Sequence, residues 1–399
     1  MTFMPLLRIE DPAVRKAASG GFALFALGFR PFYLLAALFS ALAVPAWLLV
    51  FSGHWTAPMP GALWHGHEML FGFACAVIVG FLFTAGRNWT GLPTPTGAPL
   101  AALAGVWLAG RLMMAFAGDT VAGAVIDLAF LPAAAFALGR VLVQAKSHRN
   151  YFVLVLLSLL TLCNLGFHLA RFGVLALDPL QAIWAALSLV TLLETAIGGR
   201  VIPMFTASAL RGVKQWQHPR LNQAAIALTA VALLLWVLGF AVLGAPLALV
   251  AALLQLVRSA GWNPWATRRT PLLWILHLGH LWIPIGLLLL ALTQWGWVPR
   301  SAAVHALTIG AIGGLIIGMM TRTALGHTGR MLVAGPVETS AYVLIQLAVL
   351  VRVASLLFVP LWAIAGINVA GSLWALAFGL YFVRYLPLLA RARPDGRPG

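Results

Sequence analysis

The chain has 399 residues, of which 62% are hydrophobic and only 9% charged, with a formal net charge of +16. A water-soluble domain carries about 25% charged residues to face its solvent, so a soluble globular fold is excluded and membrane lipid is the expected surrounding. A basic excess also marks nucleic-acid-binding proteins. Here, however, Lys and Arg fall in short clusters between apolar runs and form no continuous basic face, so no nucleic-acid partner is expected.

Residues 1–21 form a polar segment of mixed charge without a signal-peptide pattern. From Phe22 onward, apolar runs of about 20 residues recur, each long enough to cross a hydrocarbon core about 30 Å thick. In lipid every backbone polar group must be satisfied internally, which leaves helices or closed barrels. The runs are too long and too evenly apolar for barrel strands. The expected fold is an all-α polytopic bundle of about twelve transmembrane helices forming one membrane domain. The spans are predicted at 28–51, 65–87, 98–117, 121–144, 151–172, 179–207, 221–243, 245–261, 271–292, 300–320, 337–360 and 362–387. Pro/Gly-rich or charged joints such as Asn88 to Gly97, Arg211 to Arg220 and Thr321 to Pro336 separate them, and a basic tail occupies 388–399.

The placement of positive charge tests that segmentation. Arg8, Arg15, Lys16, Arg87, Lys146, Arg149, Arg211, Lys214, Arg220, Arg268, Arg269, Arg322, Arg330, Arg391, Arg393 and Arg397 collect at one set of helix ends. The other set has almost none beyond Arg171 and Arg300. By the positive-inside rule the rich side, with both termini, is expected to be cytoplasmic. The cysteines Cys75 and Cys163 both fall in spans, and no Cys-x-x-Cys-His site exists, so any haem is expected to be held non-covalently.

Ionisable groups at membrane depth cost at least about 2.5–3.5 kcal/mol each and mark candidate sites. Of ten histidines, His54, His148 and His218 lie in predicted loops. His65 and His67 begin the second span, His168 lies near the outer end of the fifth, and His305 is one turn into the tenth from the same side. His277 and His280 occupy the inner half of the ninth span, and His327 follows the tenth. This layout suggests either two sites or one spanning the bilayer. His65, His67, His168, His277, His280 and His305 are the candidate metal ligands, because imidazole suits copper, zinc and iron. Although two residues apart on a helix, His65 and His67 are read as able to bend onto one metal across Gly66. His277 and His280 share a face but cannot be opposite axial ligands of one haem. The bland alternative for each is a hydrogen-bonded packing residue or proton relay.

Glu68 is a candidate ligand, orienting residue or proton acceptor. Glu194 and Asp127 are the acids deepest in lipid, Glu194 being read either as part of a proton path or as the partner of an unseen Arg. Arg30, Arg200 and Arg322 are candidate partners for haem propionates, or else topology residues that reach the interface. The run Gly310-Ala311-Ile312-Gly313-Gly314 invites close helix approach.

Several segments together resemble one family. Gly28-Phe29-Arg30-Pro31-Phe32, Trp64-His65-Gly66-His67-Glu68-Met69-Leu70-Phe71-Gly72-Phe73 and Asn88-Trp89-Thr90-Gly91 are similar to the N-terminal half of NnrS proteins. Asn164-Leu165-Gly166-Phe167-His168, Glu194-Thr195-Ala196-Ile197-Gly198-Gly199-Arg200-Val201-Ile202-Pro203 and Leu276-His277-Leu278-Gly279-His280 continue the match. His305-Ala306-Leu307-Thr308 and the stretch from Met319-Met320-Thr321-Arg322 to His327-Thr328-Gly329-Arg330 complete it. Gly66 stands where Ala is commoner, leaving both histidines in place.

The resemblance implies a bacterial inner-membrane protein of the nitric oxide response, associated with denitrification and nitrosative stress and containing haem b and copper. On this expectation the protein is an oxidoreductase that binds and reduces nitric oxide at a histidine-ligated centre. His168, His277, His280, His305 and His327 would serve the cofactor, Glu68 or Glu194 would supply protons, and membrane quinol would supply electrons. Two other classes stay open. A transporter often has twelve helices, but no half-to-half repeat is visible and the histidines are not symmetric. A haem-based sensor would need an output domain, and the loops are short.

Overall fold

The computed structural model describes residues 21–395. The N-terminal cluster Arg8, Arg15 and Lys16, and Arg397 of the tail, lie outside the described residues. Among the described residues, twelve helices are long and apolar enough to cross a membrane. They are α1 Phe29–Phe51, α2 Gly61–Thr90, α3 Gly97–Phe116, α4 Val121–Gln144, α5 His148–Arg171, α6 Pro179–Ala209, α7 Pro219–Val237, α8 Ala241–Ala260, α9 Pro271–Gln294, α10 Arg300–His327, α11 Pro336–Leu357 and α12 Pro360–Ala390. Among the described residues the only extended pairing is a single bridge between Phe22 and Arg391. The all-α polytopic bundle expected from composition is therefore what the chain forms.

That bridge places the first and last described residues at one end of the bundle, hereafter the terminal end. Ala23 N–H donates to the Ala390 carbonyl at 2.8 Å, and Ala392 N–H to that of Gly21 at 3.1 Å. Arg30 reinforces the clasp, its Nη1 donating at 2.8 Å to both the Leu389 and Arg391 carbonyls. These carbonyls cap the C-terminus of α12, where a guanidinium also complements the helix dipole.

Two boundaries differ instructively from the sequence reading. The seventh helix ends at Val237, not 243, because Gly239 takes a left-handed φ of +78° and turns the chain into α8. The tenth helix continues to His327, so that residue closes a helix instead of following one. Its last turns look like a joint because they are polar. In fact Thr321 and Thr323 face the protein, and Thr321 Oγ1 donates back to the Ile317 carbonyl at 2.8 Å.

Three helices form the centre. In their most apolar stretch α2 is 83% buried and α9 and α10 each 72%, against at most 44% for the others. Glycine permits this density. A Cβ on Gly279 of α9 would stand 2.9 Å from the Leu315 nitrogen and 3.0 Å from the Gly314 carbonyl carbon of α10, both backbone atoms. Of the predicted histidines only His168 lies on a peripheral helix. His65 and His67 are on α2, His277 and His280 on α9, and His305 and His327 on α10.

Both α2 and α10 change pitch inside the membrane. Residues Glu68–Ala74 and Ala306–Gly313 are π-helical, beginning directly after His67 and His305. Such segments are rare and cluster at functional sites.

Gly279→Val should force α9 and α10 apart, an overpacking cost of about 1–3 kcal/mol. The expected result is a lower unfolding temperature in detergent than wild type. Gly105→Ala, which meets nothing within 4 Å, should melt like the parent.

Candidate metal centre and the cavity beside it

At the far end of the bundle, α2, α3, α4 and α5 bury a knot of polar side chains. His67 and Glu68 come from α2, Arg111 from α3, Asp127 from α4, and Asn164 and His168 from α5, all of them buried. Arg111 is the link. Its Nη1 donates to Glu68 Oε1 at 2.5 Å and its Nη2 to Asp127 Oδ1. His67 Nδ1 lies 2.8 Å from Glu68 Oε1, and its Nε2 lies 2.9 Å from Asn164 Oδ1 and 3.2 Å from Asp127 Oδ2. Asp127 Oδ2 also meets His168 Nε2 at 2.9 Å and accepts from Asn164 Nδ2 at 2.8 Å.

Local sequence makes room for this knot. A Cβ at Gly72 would stand 3.0 Å from Arg111 Nη1, and one at Gly110 would stand 3.2 Å from the Asp127 Cα. Trp107 Nε1 donates to the Gly72 carbonyl at 3.0 Å, within the π-helical stretch where the helix ladder is altered.

His67, Asp127 and His168 each offer a ligand atom, and these atoms lie within 4.8 Å of one another. Two imidazoles and a carboxylate make a donor set suited to copper, zinc or iron. Both nitrogens of His67 face oxygens that only accept, so in this arrangement it donates from both, and a cation bound here would take the place of one of those protons.

His65 goes elsewhere. It lines a cavity of about 300 Å³ between α1, α2, α6, α10, α11 and α12. Its ring stacks on Trp47 with centroids 4.2 Å apart, and its Nδ1 has no hydrogen-bond partner. His305 faces the same cavity from α10. Its Nδ1 lies 2.7 Å from the Ser301 carbonyl oxygen, which can only accept, so Nδ1 carries the proton and Nε2 keeps a free lone pair. Arg352 of α11 also lines the cavity and donates from Nη2 to Ser301 Oγ at 3.0 Å. Otherwise the walls are mainly apolar, with Trp184 and Trp374 prominent. The idea that His65 and His67 bend onto one metal is thus replaced by division: one helical turn of α2 serves two neighbouring sites.

A family model described as NnrS protein matches residues 23–393. The chain belongs to the NnrS family. The matched stretch includes all twelve helices, the polar knot and the cavity. No curated protein sequence matches the chain.

The remaining predicted residues of this NnrS-family chain lie toward the middle and the terminal end. His277 Nε2 meets Thr206 Oγ1 at 2.9 Å, while His280 Nδ1 meets Ser259 Oγ at 3.0 Å and its ring packs on Trp262. These two share a helix face but have separate partners on α6 and α8. His327 packs against Phe29 at 5.7 Å between centroids. The Arg322 guanidinium sits 3.6 Å over the Phe205 ring, Arg200 is exposed, and Arg30 holds the terminal clasp. Glu194 faces a second cavity, and the structure gives it no Arg partner.

Sequence reasoning passes over Arg111, Asn164, Ser301 and Arg352 as site residues, and notes Asp127 only for its depth. An Arg inside an apolar run is itself a signal. The partner that gives it meaning is 16 positions away on another helix, and only the fold shows that.

Arg111→Met would strand two buried carboxylates. Breaking a buried ion pair from one side costs about 3–5 kcal/mol, so the variant should lose most of its folded yield and unfold at a markedly lower temperature. Adding Glu68→Gln and Asp127→Asn should restore part of that loss. A single variant as stable as wild type would show that Arg111 does not hold the knot.

Proposed function

We propose that this NnrS-family protein binds and reduces nitric oxide in a bacterial inner membrane, at a centre built from haem b and copper. The observation that carries the reading is the division of His65-Gly66-His67. One imidazole enters an apolar cavity opposite His305, and the other enters the His/Asp cluster on the opposite flank of the same helix.

The residues suit the two groups. A cavity of about 300 Å³ reaches the lower part of the range for cofactor pockets, about 300–1,000 Å³. Its apolar walls and two imidazoles suit a macrocycle, with His65 and His305 holding iron and Arg352 pairing with a propionate. His67, His168 and Asp127 would hold copper. When bound, copper would supply a binding position for nitric oxide, and haem, its iron held by both imidazoles, would supply the electrons to reduce it. The chain's own part is orientation and exclusion of water. Ser301 fixes the tautomer of His305, Trp47 fixes the ring of His65, and Arg111 holds Asp127 in place and Glu68 beside His67. Glu68, touching His67, would pass protons toward the centre. Nitric oxide is small and apolar and reaches such a site through lipid without a pore. Electrons would come from membrane quinol.

The deciding measurement is an optical spectrum of the detergent-purified protein, oxidised and reduced, before and after anaerobic nitric oxide, with iron and copper quantified. A b-type reduced spectrum that shifts with nitric oxide is expected. His65→Ala and His305→Ala should lose the haem bands but keep copper, His67→Ala and His168→Ala should lose copper, and all four should cut nitric oxide consumption at least about 10-fold, equivalent to about 1.4 kcal/mol. A folded protein with neither metal would defeat the reading, as would four variants that consume nitric oxide like wild type.

A further inference from the structure

The acids placed in the spans are Glu68, Asp127, Glu194 and Glu338. Three of them have a basic partner. Glu68 and Asp127 share Arg111, and Glu338 Oε1 accepts from Arg384 Nε at 3.1 Å and from the Tyr385 hydroxyl at 3.2 Å. Glu194 has none: among the described residues it makes no hydrogen bond and no ion pair. It sits near the middle of the 31-residue helix α6, at a depth where water supplies no substitute. Burying a polar group without a partner costs several kcal/mol, so this position calls for a ligand.

A cavity of about 100 Å³ is there to receive one. Glu194 lies on its wall with Tyr33 of α1, Phe81 of α2, Leu276 of α9 and Met319 of α10. The Gly198 wall is thin: the His280 ring edge packs directly behind it, with Cδ2 3.1 Å from where a Cβ would stand. On the flank of α6 that borders the cavity, Leu193, Ile197 and Val201 are only half-buried. Since α6 is a membrane-spanning helix, that flank opens to lipid and not to water.

These features restrict the occupant. A cation would find one carboxylate and otherwise apolar walls, too few donors to replace its hydration. An acyl chain has no use for the acid. An apolar cavity of about 150 Å³ encloses benzene, so this one of about 100 Å³ takes the hydroxyl-bearing edge of a substituted ring while the rest reaches out along the half-buried flank of α6. We propose that the Glu194 cavity seats the head of a membrane hydroquinone, entering from the bilayer. One ring hydroxyl donates to the Glu194 carboxyl group, that edge of the ring lies among the apolar walls, and the rest of the ring and the isoprenoid tail stay toward lipid. The site deepens the proposed function by seating its electron donor, and rests on that reading for this role alone; binding requires no metal. It also lies within reach of the far end, because Val77 on its wall is ten residues along α2 from His67, about 15 Å at 1.5 Å per residue.

The test is binding of decylubiquinol to the purified protein in lipid nanodiscs, followed by quenching of tryptophan fluorescence against protein-free discs. Wild type should bind saturably, and Glu194→Gln should weaken binding about 10-fold or more. Leu193→Trp, which fills the lipid-side mouth, should do the same; circular dichroism and melting confirm that both variants are folded. His65→Ala should bind decylubiquinol like wild type whatever it does to nitric oxide, which separates this site from the metal centre. A wild type that does not bind above protein-free discs would overturn the proposal. So would Glu194→Gln and Leu193→Trp both binding like the parent. If quinol binding behaves as expected while the protein holds no haem or copper, the metal reading fails and this site stands.

Discussion

Inside a membrane a charged group has no water to fall back on, and the rest of this molecule is arranged around how Arg111 meets that constraint. One guanidinium pairs with Glu68 on α2 and Asp127 on α4, so three helices are tied through a single side chain. Asp127 in turn holds Asn164 and His168 of α5. The knot thus fixes the rotation of α2 about its own axis. Once Glu68 is drawn toward α3, its neighbour His67 faces α5, and His65, two residues away and roughly 200° around the helix at 3.6 residues per turn, must point to the opposite side. The division of the two histidines between separate sites is a consequence of where one Arg finds its acids.

The π-helical stretches extend that logic along the helix axis. Directly below His67 and His305, α2 and α10 widen by about one residue per turn. Widening disturbs the i→i−4 ladder, and on α2 the Gly72 carbonyl takes the Trp107 indole as a partner. It also sets the azimuth of everything above it relative to the packed helix below. In α10 that lower part is locked by the Gly279–Gly314 approach to α9, and His305 is re-aimed into the cavity above it. Tight glycine packing in the middle and a pitch change toward the far end together let a rigid centre carry accurately placed imidazoles.

Much of this was legible in the residues. Apolar run lengths and the one-sided distribution of Lys and Arg give twelve helices, and the histidines stand out against so little other polarity. What was not legible depends on rotation and long-range pairing. Spacing alone shows His65 and His67 on different faces, yet a flexible Gly66 at a helix start leaves convergence open until the Arg111 knot is known. Arg111 and Asp127 are on different helices, and neither declares its partner. The end of α10 misleads because Thr321, Arg322 and Thr323 look like a loop to any hydropathy argument. A threonine whose hydroxyl bonds back to its own helix and faces protein costs that helix little. The fold does not demand glycine at Gly66: a Cβ there would stand 3.1 Å from the Ile183 methyl of α6, the end of a side chain that can adjust, so Ala would fit as well.

The same accounting separates two kinds of buried polarity. His277 and His280 each have a hydroxyl partner, on Thr206 and Ser259, and Glu338 has Arg384 and Tyr385. His277 and Glu338 are supported in place and contribute to specific packing without any ligand, whereas His280 is supported on Nδ1 alone and its buried Nε2 has no partner. His305 is supported on one nitrogen only, by Ser301, which leaves the other free toward a cavity. Glu194 is supported on neither oxygen and also borders a cavity. In a medium where an unpartnered polar group is costly, support on one side and open space on the other is how a protein presents a functional group. By that criterion the chemistry of this bundle lies in two places, a histidine-lined region at the far end and the mid-membrane cavity of Glu194, with the unpartnered edge of His280 behind its Gly198 wall. The helices α2 and α10 run through both and connect them.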